Sequence, residues 1–390
     1  MKNTNKKLSL LADKINAGDK VKVAILGLGS VGNFLLTYLL ENVDKNMEIV
    51  VVGRDEERLK KDLNIAKVAS SIRGKLVSDV STYRVNFNNI EEITKFFKDE
   101  KPDFIVNSSR AYSGIKYGSI SWKNIRAYGI WSPLSISVIK NIMVAHKNAE
   151  SNAIVINTSY SDSVNAWLKS AGLNYPDFGS GNLNHIIPRI KFSLKDMLNL
   201  SNEDIIDVTI ATSHFHGVSI SSEGLTDGVD PLLNIKVNNE DVKIDHQELY
   251  KRCAITMPSD QKRNMMNASS NWEIINKILI ALRENRTLTL HSPGVFGSIG
   301  GFPVTIDGAH ASMSYEERYF SYADMAQNNR DSIYLDGIED VREGTLIYTD
   351  ELVKKVKDAF SVDLPKSVHF DEIDRVANLL IDEIIKRNIK

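Results

Sequence analysis

Eighteen consecutive residues, Val23 to Leu40, carry no charge, and Gly27-Leu28-Gly29-Ser30-Val31-Gly32 lies inside them. The run is nearly long enough to cross a membrane. Its glycines, however, stand where a strand must turn sharply into a helix. The preceding VKVAIL is almost purely apolar, as expected of a strand buried on both faces. G-x-G-x-x-G between strand and helix is the pattern of a dinucleotide-binding turn. Gly27 permits the tight turn, Gly29 lets backbone approach a pyrophosphate, and Gly32 lets helix and strand pack closely. The amides of Ser30 and Val31, at the helix N-terminus, are then expected to receive the pyrophosphate.

The segments that follow alternate. Met47 to Val52 reads as a second buried strand and Asp55 to Leu63 as a charged helix. Tyr83 to Phe87 and Asp103 to Asn107 read as strands around a helix from Ile90 to Lys98. Tyr112 to Ser132, rich in Gly, Ser and aromatics, reads as a loop. Leu134 to Lys147 reads as a helix and Ala153 to Asn157 as a strand. This rhythm implies a parallel sheet with helices on both faces. The rhythm then breaks: a strand from Ile206 to Ser213, a hairpin at Asn238-Asn239, a helix from Asn271 to Asn285, short strands, and two closing helices. The expected fold class is α/β, a Rossmann-type doubly wound sheet followed by a mixed α+β domain. The expected division is residues 1–160 for nucleotide binding and 161–390 for substrate and catalysis.

Charge and cysteine content narrow the function. Lys and Arg number 48 against 50 Asp and Glu, so no basic excess exists for nucleic acid or an anionic membrane. The single cysteine, Cys253, allows no internal disulfide and no cysteine-based metal site. Together with the short apolar stretch near the start, Leu8 to Ala12, this makes a reducing cytoplasm the expected home.

The second strand should end in the residue that reads the adenine ribose. A carboxylate there bonds the 2′-hydroxyl of NAD, whereas a guanidinium suits the 2′-phosphate of NADP. The chain has Gly53-Arg54-Asp55. Arg54 therefore favours NADP, with NAD as the alternative cofactor through Asp55.

From residue 21 to about 360 the chain resembles the lactate/malate dehydrogenase superfamily. The resemblance rests on an ordered series: the glycine-rich turn, FIVNSS (Phe104 to Ser109), IVINTSYSDSVNAWLKSAG (Ile154 to Gly172), GSGNLN (Gly179 to Asn184), ATSHFHG (Ala211 to Gly217) and GSIGGFPVTIDG (Gly297 to Gly308). It implies hydride transfer between a nicotinamide and a carbonyl or alcohol carbon of a 2-oxo acid, 2-hydroxy acid or related ketone. By position, His216 would be the acid/base, held at a strand end facing a cleft. Asn184 occupies the place of the family's histidine-orienting Asp. It can accept the imidazole N–H but brings no charge, so another acid would have to serve or the proton step would be slower. Ile187 stands where the family has its substrate-binding arginine. Arg189, just after Pro188, would then sit in a first helical turn and reach the cleft; if it points away, a plain 2-oxo acid is not the expected substrate. Ser108 and Asn157 would flank the cofactor, with Thr158 in place of a proline.

The loop at 112–132 matches the family's mobile lid, and Arg110 and Arg126 are its available cations. His214 and His216, two apart, would share one face of a straight strand; with His185 they could form a metal set, but no cysteine lies near and no metal is expected. Two other functions fit the departures: a nicotinamide-dependent glycosidase-like enzyme, and a nucleotide-binding sensor without turnover. The resemblance further implies a homodimer or homotetramer acting on a small molecule.

Overall fold

In the central sheet, alternate residues of each strand face opposite sides, and both sides are apolar. Val23, Ile25, Val51, Val106 and Ile156 belong to one core, and Ala24, Leu26, Val52, Ile105 and Val155 to the other. That double burial forces a parallel sheet covered by helices. The computed structural model describes residues 2–42, 46–75, 79–112, 114–258 and 260–388. Its six parallel strands are β1 (Val21–Leu26), β2 (Met47–Gly53), β3 (Val80–Arg84), β4 (Phe104–Asn107), β5 (Ile154–Asn157) and β6 (Phe178–Gly179), in the order β3-β2-β1-β4-β5-β6. This is the doubly wound order, with its switch point between β1 and β4.

The helices of this part are α1 (Lys2–Asn16), α2 (Ser30–Asn42), α3 (Glu56–Ile72), α4 (Ile90–Glu100), α5 (Gly114–Ile125), α6 (Ser132–Asn148) and α7 (Ser161–Ser170). The lysine-rich start is a docked helix. Thr4 Oγ1 and Lys7 Nζ bond the buried carboxylate of Asp177 at 2.8 and 2.6 Å. The third strand begins three residues before the expected one.

The expected loop at 112–132 is mostly helical. Tyr117, Ser121 and Ile125 recur every four residues on a buried face of α5, a period its glycines and serines obscure. Gly118 is needed there: a Cβ would lie 3.2 Å from the Tyr128 ring.

The rest of the chain forms α8 (Asn182–Met197), β7 (Ile206–Ala211), α9 (His214–Glu223), β8 (Leu232–Val237), β9 (Glu240–Asp241), α10 (His246–Cys253), α11 (Asn264–Glu284), β10 (Thr287–Pro293), β11 (Gly301–Asp307), β12 (Ser312–Tyr315), α12 (Tyr322–Leu335), β13 (Ile338–Arg342), β14 (Thr345–Tyr348), α13 (Asp350–Phe360), β15 (Ser367–His369) and α14 (Ile373–Leu379). Three small antiparallel sheets pair β7-β8-β9, β10-β11-β12 and β13-β14-β15. The hairpin of β8 and β9 turns at Asn238 and Asn239, both with positive φ (51° and 70°), as that dipeptide promised.

A division at residue 160 does not match the packing. β6 extends the sheet from beyond it. Ile274, Ile278, Phe302 and Val304 complete the core on one face of the sheet, and Ile373, Val376 and Leu380 that on the other. The second half thus clasps the first on both sides. Only Ile186, Ile190, Ile210, Ile235, Leu249 and their neighbours form a core of its own.

Candidate active site

The glycine-rich turn has the geometry a dinucleotide needs. Gly27 has φ 93°, and a Cβ on Gly32 would lie 2.2 Å from the Gly27 carbonyl oxygen. A Cβ on Gly29 would meet nothing within 4 Å, so open space lies over the turn where a pyrophosphate would approach. Ser30 begins α2, with Val31 following, and the Ser30 hydroxyl accepts from Asn264 at the start of α11. Ser108, at the end of β4, donates to the Gly27 carbonyl at 2.6 Å and so fixes the turn. Arg54 is exposed just past β2. Asp55 is committed to capping α3, accepting from the Arg58 amide at 3.0 Å.

Beside this turn the ends of β4 and β5 are locked together. Asn107 Nδ2 donates to Asn157 Oδ1 at 3.0 Å, and Asn157 Nδ2 reaches Ser159 O and Asn165 Oδ1. Asn157 is wholly buried, so it braces the crevice floor instead of lining it. Arg110, exposed, donates one bond to the Thr158 carbonyl at 2.8 Å.

His216 is not where its motif suggests. The chain leaves the strand at Ala211, and His214 already opens α9. On a helix, residues two apart point about 200° away from each other, so the two histidines part company. His216 is 0% exposed. Its Nε2 pairs with the Thr226 carbonyl at 3.0 Å, and its Nδ1 lies 2.7 Å from both Thr212 Oγ1 and Ser332 Oγ. Burial lowers its pKa. Both ring nitrogens are spent inside the fold, so it faces no cleft. The adjoining Gly217 serves packing: a Cβ there would lie 2.6 Å from that of Asn182 on α8.

His214 takes the other direction. Its Nδ1 lies 3.0 Å from Asp336 Oδ2 and its Nε2 2.9 Å from Asn182 Nδ2. The rings of Tyr160 and Tyr128 stand edge-on to it at 4.8 and 5.0 Å. Asp336, wholly buried at the end of α12, also accepts from Tyr160 OH (2.5 Å) and the Tyr128 amide (2.6 Å). Three distant parts of the chain, at Tyr128, Tyr160 and His214, therefore meet on one carboxylate. Burial, reinforced by Asp336, pushes the Tyr128 phenol to about 12 and that of Tyr160 well above its usual range, so both stay protonated. Tyr160 has φ 46°, a strained conformation that turns the chain from β5 into α7 and aims its ring at His214.

The remaining expected residues lie apart. Asn184 accepts from the Gly181 amide and donates to the His291 carbonyl at 2.9 Å; it orients neither histidine. Pro188 lies within α8 and does not open it, because the helix already starts at Asn182. Arg189 consequently points inward and donates to the carbonyls of Ser221, Cys253 and Ile255. Arg126 is bound by the Glu223 and Asp227 carboxylates and lies over the Trp122 and Phe215 rings. It latches the end of α5 to the C-terminal end of α9, and its charge is neutralised. His185 bonds the backbone of Met266, away from His216, and no three of His, Cys, Asp and Glu gather into a ligand set among the described residues.

The residues that sequence reasoning missed are Asp336, Tyr160, Tyr128 and Asn182. His214 stood in a recognised motif, but its role needed the helix start. Asp336 carries no local signal at all.

Residues 23–117 match the family model of the saccharopine dehydrogenase NADP binding domain. No curated protein sequence matches the chain. Among solved structures, the malate dehydrogenase of Cryptosporidium parvum is 13% identical, aligned over 88% of this chain and 100% of that one, with TM-score 0.53. That of Archaeoglobus fulgidus in complex with NADH is 15% identical over 80% and 96%, with TM-score 0.52. That of Picrophilus torridus is 12% identical over 81% and 96%, with TM-score 0.54. No helix among the described residues is long and apolar enough to cross a membrane. The chain has the fold of the malate dehydrogenases, a six-stranded parallel sheet covered by helices with small antiparallel sheets after it, and residues 23–117 within it match an NADP-binding domain.

Proposed function

We propose that the chain is a nicotinamide-dependent oxidoreductase, using NADP, in which His214 exchanges the proton of a carbonyl/hydroxyl pair and Asp336 orients it. The observation that carries this reading is the 3.0 Å pairing of His214 Nδ1 with the buried Asp336 carboxylate, which Tyr160 ties to the turn after β5. The cofactor would lie on Gly27, Gly29, Ser30, Val31 and Gly32, with Arg54 toward its 2′-phosphate and Arg110 near the crevice. When bound, it supplies or accepts the hydride.

The protein's own part is proton management. Asp336 accepts the Nδ1 hydrogen and so presents Nε2 to the substrate oxygen. Asn182, now bonded to Nε2, yields that place and can hold the same oxygen. Asp336 meets the charge of the imidazolium that forms during oxidation. The rings of Tyr128 and Tyr160 pack edge-on against His214. The family's substrate-carboxylate arginine has no equivalent on α8, since Ile187 replaces it and Arg189 is turned inward. A ketone or secondary alcohol without a carboxylate on the next carbon is therefore favoured over a plain 2-oxo acid. A homo-oligomer and a cytoplasmic location remain part of this reading. Nothing in the geometry favours the glycosidase or the sensor.

The test is fluorescence titration of the full chain with NADPH and NADH, followed by a ketone screen with wild type and His214→Gln. Tight NADPH binding and turnover lost in the variant are expected. Absence of binding by either nucleotide overturns the reading.

A further inference from the structure

A second carboxyl lies beside the His214 pair and has no role in the chemistry above. Asp162, in the first turn of α7, is 4% exposed, and its Oδ1 has no hydrogen-bond partner among the described residues. Leaving a carboxyl oxygen unpaired in the interior costs free energy, more for a charged group than for an ordinary polar one. Such a group is retained against a cost and calls for a function.

Its surroundings point to His214. The Asp162 carbonyl accepts from the Gly300 amide at 3.0 Å, and the next amide, Gly301, donates to the Thr212 carbonyl at 3.1 Å. Two consecutive glycine amides thus stitch the turn holding Asp162 to the segment that delivers His214. A Cβ on Gly300 would lie 2.1 Å from Asn329 Oδ1, so the close approach is available to glycine alone. Tyr160, two residues earlier on the same turn, is already bound to Asp336.

We propose that Asp162 is a positioning residue for the proton step, a second carboxylate that stabilises the His214 imidazolium through space while Asp336 does so by a hydrogen bond. The proposal rests on His214 being the acid/base. During oxidation the substrate O–H bond breaks, its proton joins Nε2 of His214, and the Nδ1 hydrogen stays directed at Asp336. The positive ring then pairs with Asp336 and feels the charge of Asp162 through space. Asp162 itself transfers nothing.

The groups acting on Asp162 agree. Burial pushes its carboxyl up to about 6; the imidazole of His214 and the backbone amides of Asp162 and His214 act downward, and Asp336 acts upward. The other titratable and charged groups about the pair are Tyr160, Tyr128 and, toward Tyr160, Tyr348, all three kept protonated by burial; His185, which burial keeps neutral, lies toward His214, and Arg263 acts on Tyr128 and His185. Above about pH 6 the second charge is present, and in more acid solution it is withdrawn.

The experiment is carboxyl carbon NMR of the full chain labelled at aspartate, with the Asp162 resonance assigned from Asp162→Asn. In His214→Gln the Asp162 carboxyl should titrate higher than in wild type, because the imidazole that favours its charge is gone. An unchanged titration would overturn the proposal. If Asp162→Asn does not fold, through-bond assignment of the wild type replaces it and the comparison stands. The readout needs neither cofactor nor substrate, so failure of the oxidoreductase reading would show separately, as absent nucleotide binding.

Discussion

Asp336 lies 122 residues after His214, and its Oδ2 sits 3.0 Å from the histidine Nδ1. The same oxygen accepts from Tyr160. The malate dehydrogenase-like fold here assembles a His–Asp pair from a different carboxylate than its motif order suggests. The two histidines of the motif should therefore respond differently to substitution. His214→Gln and Asp336→Asn should each lower turnover by about 10²–10⁴ while NADPH titration still shows binding. His216→Ala should leave the chemistry to His214 but destabilise the fold by about 3 kcal/mol, through a buried carbonyl left unpaired and a cavity. Denaturant unfolding of both histidine variants reads the contrast.

The glycines of the turn separate folding from binding in the same way. Gly32→Ala would drive a Cβ to 2.2 Å from the Gly27 carbonyl oxygen and should cost about 3 kcal/mol. Gly29→Ala meets no protein atom within 4 Å, so stability should barely change. Its methyl instead enters the space for the pyrophosphate and should weaken NADPH binding about tenfold or more. Thermal unfolding and nucleotide titration of the pair decide this.

Arg54→Ala should reduce affinity for NADPH about tenfold and leave NADH nearly unaffected, because the guanidinium would act on the 2′-phosphate alone. Asp55 is held at the α3 cap and does not compete for the ribose. Equal losses for both nucleotides in the titration would refute the phosphate role.

Acid should destabilise the fold earlier than surface carboxylates alone would. Burial lowers His146 to about 4 and His185 and His291 to about 3. Below about 6.5 the unfolded chain takes up these protons and the folded chain does not. Stability is therefore complete above pH 6.5 and falls as pH drops toward 4, by about 1.4 kcal/mol per pH unit for each such histidine. Asp162, raised to about 6, works in the opposite sense and offsets roughly one of them. Chemical denaturation at pH 7, 6 and 5 should show the loss, and a flat profile would contradict it.

Much of this architecture is legible locally. The double apolar strands, the glycine turn and the Asn238-Asn239 hairpin depend on residues close in sequence, and periodicity and turn chemistry report them directly. The helix at Gly114–Ile125 is hidden because its glycines and serines are chosen to admit Tyr128 and Trp131. That reason lies in tertiary packing and leaves no local pattern. Pro188 misleads for a related reason: α8 begins six residues earlier and carries the proline inside.

What the sequence by itself determined is the nucleotide half: a buried strand, a turn that only glycine can make, and a helix whose free amides await an anion. Short-range sterics and hydrogen bonding suffice for that. Which histidine meets Asp336 was decided by where a helix starts, since one turn's phase sends His214 toward Asp336 and His216 into the core. Which carboxylate pairs with it was decided by the chain's return, which brings Asp336 to the histidine Nδ1. Long-range packing alone places such groups together, because no periodicity links residues more than a hundred positions apart.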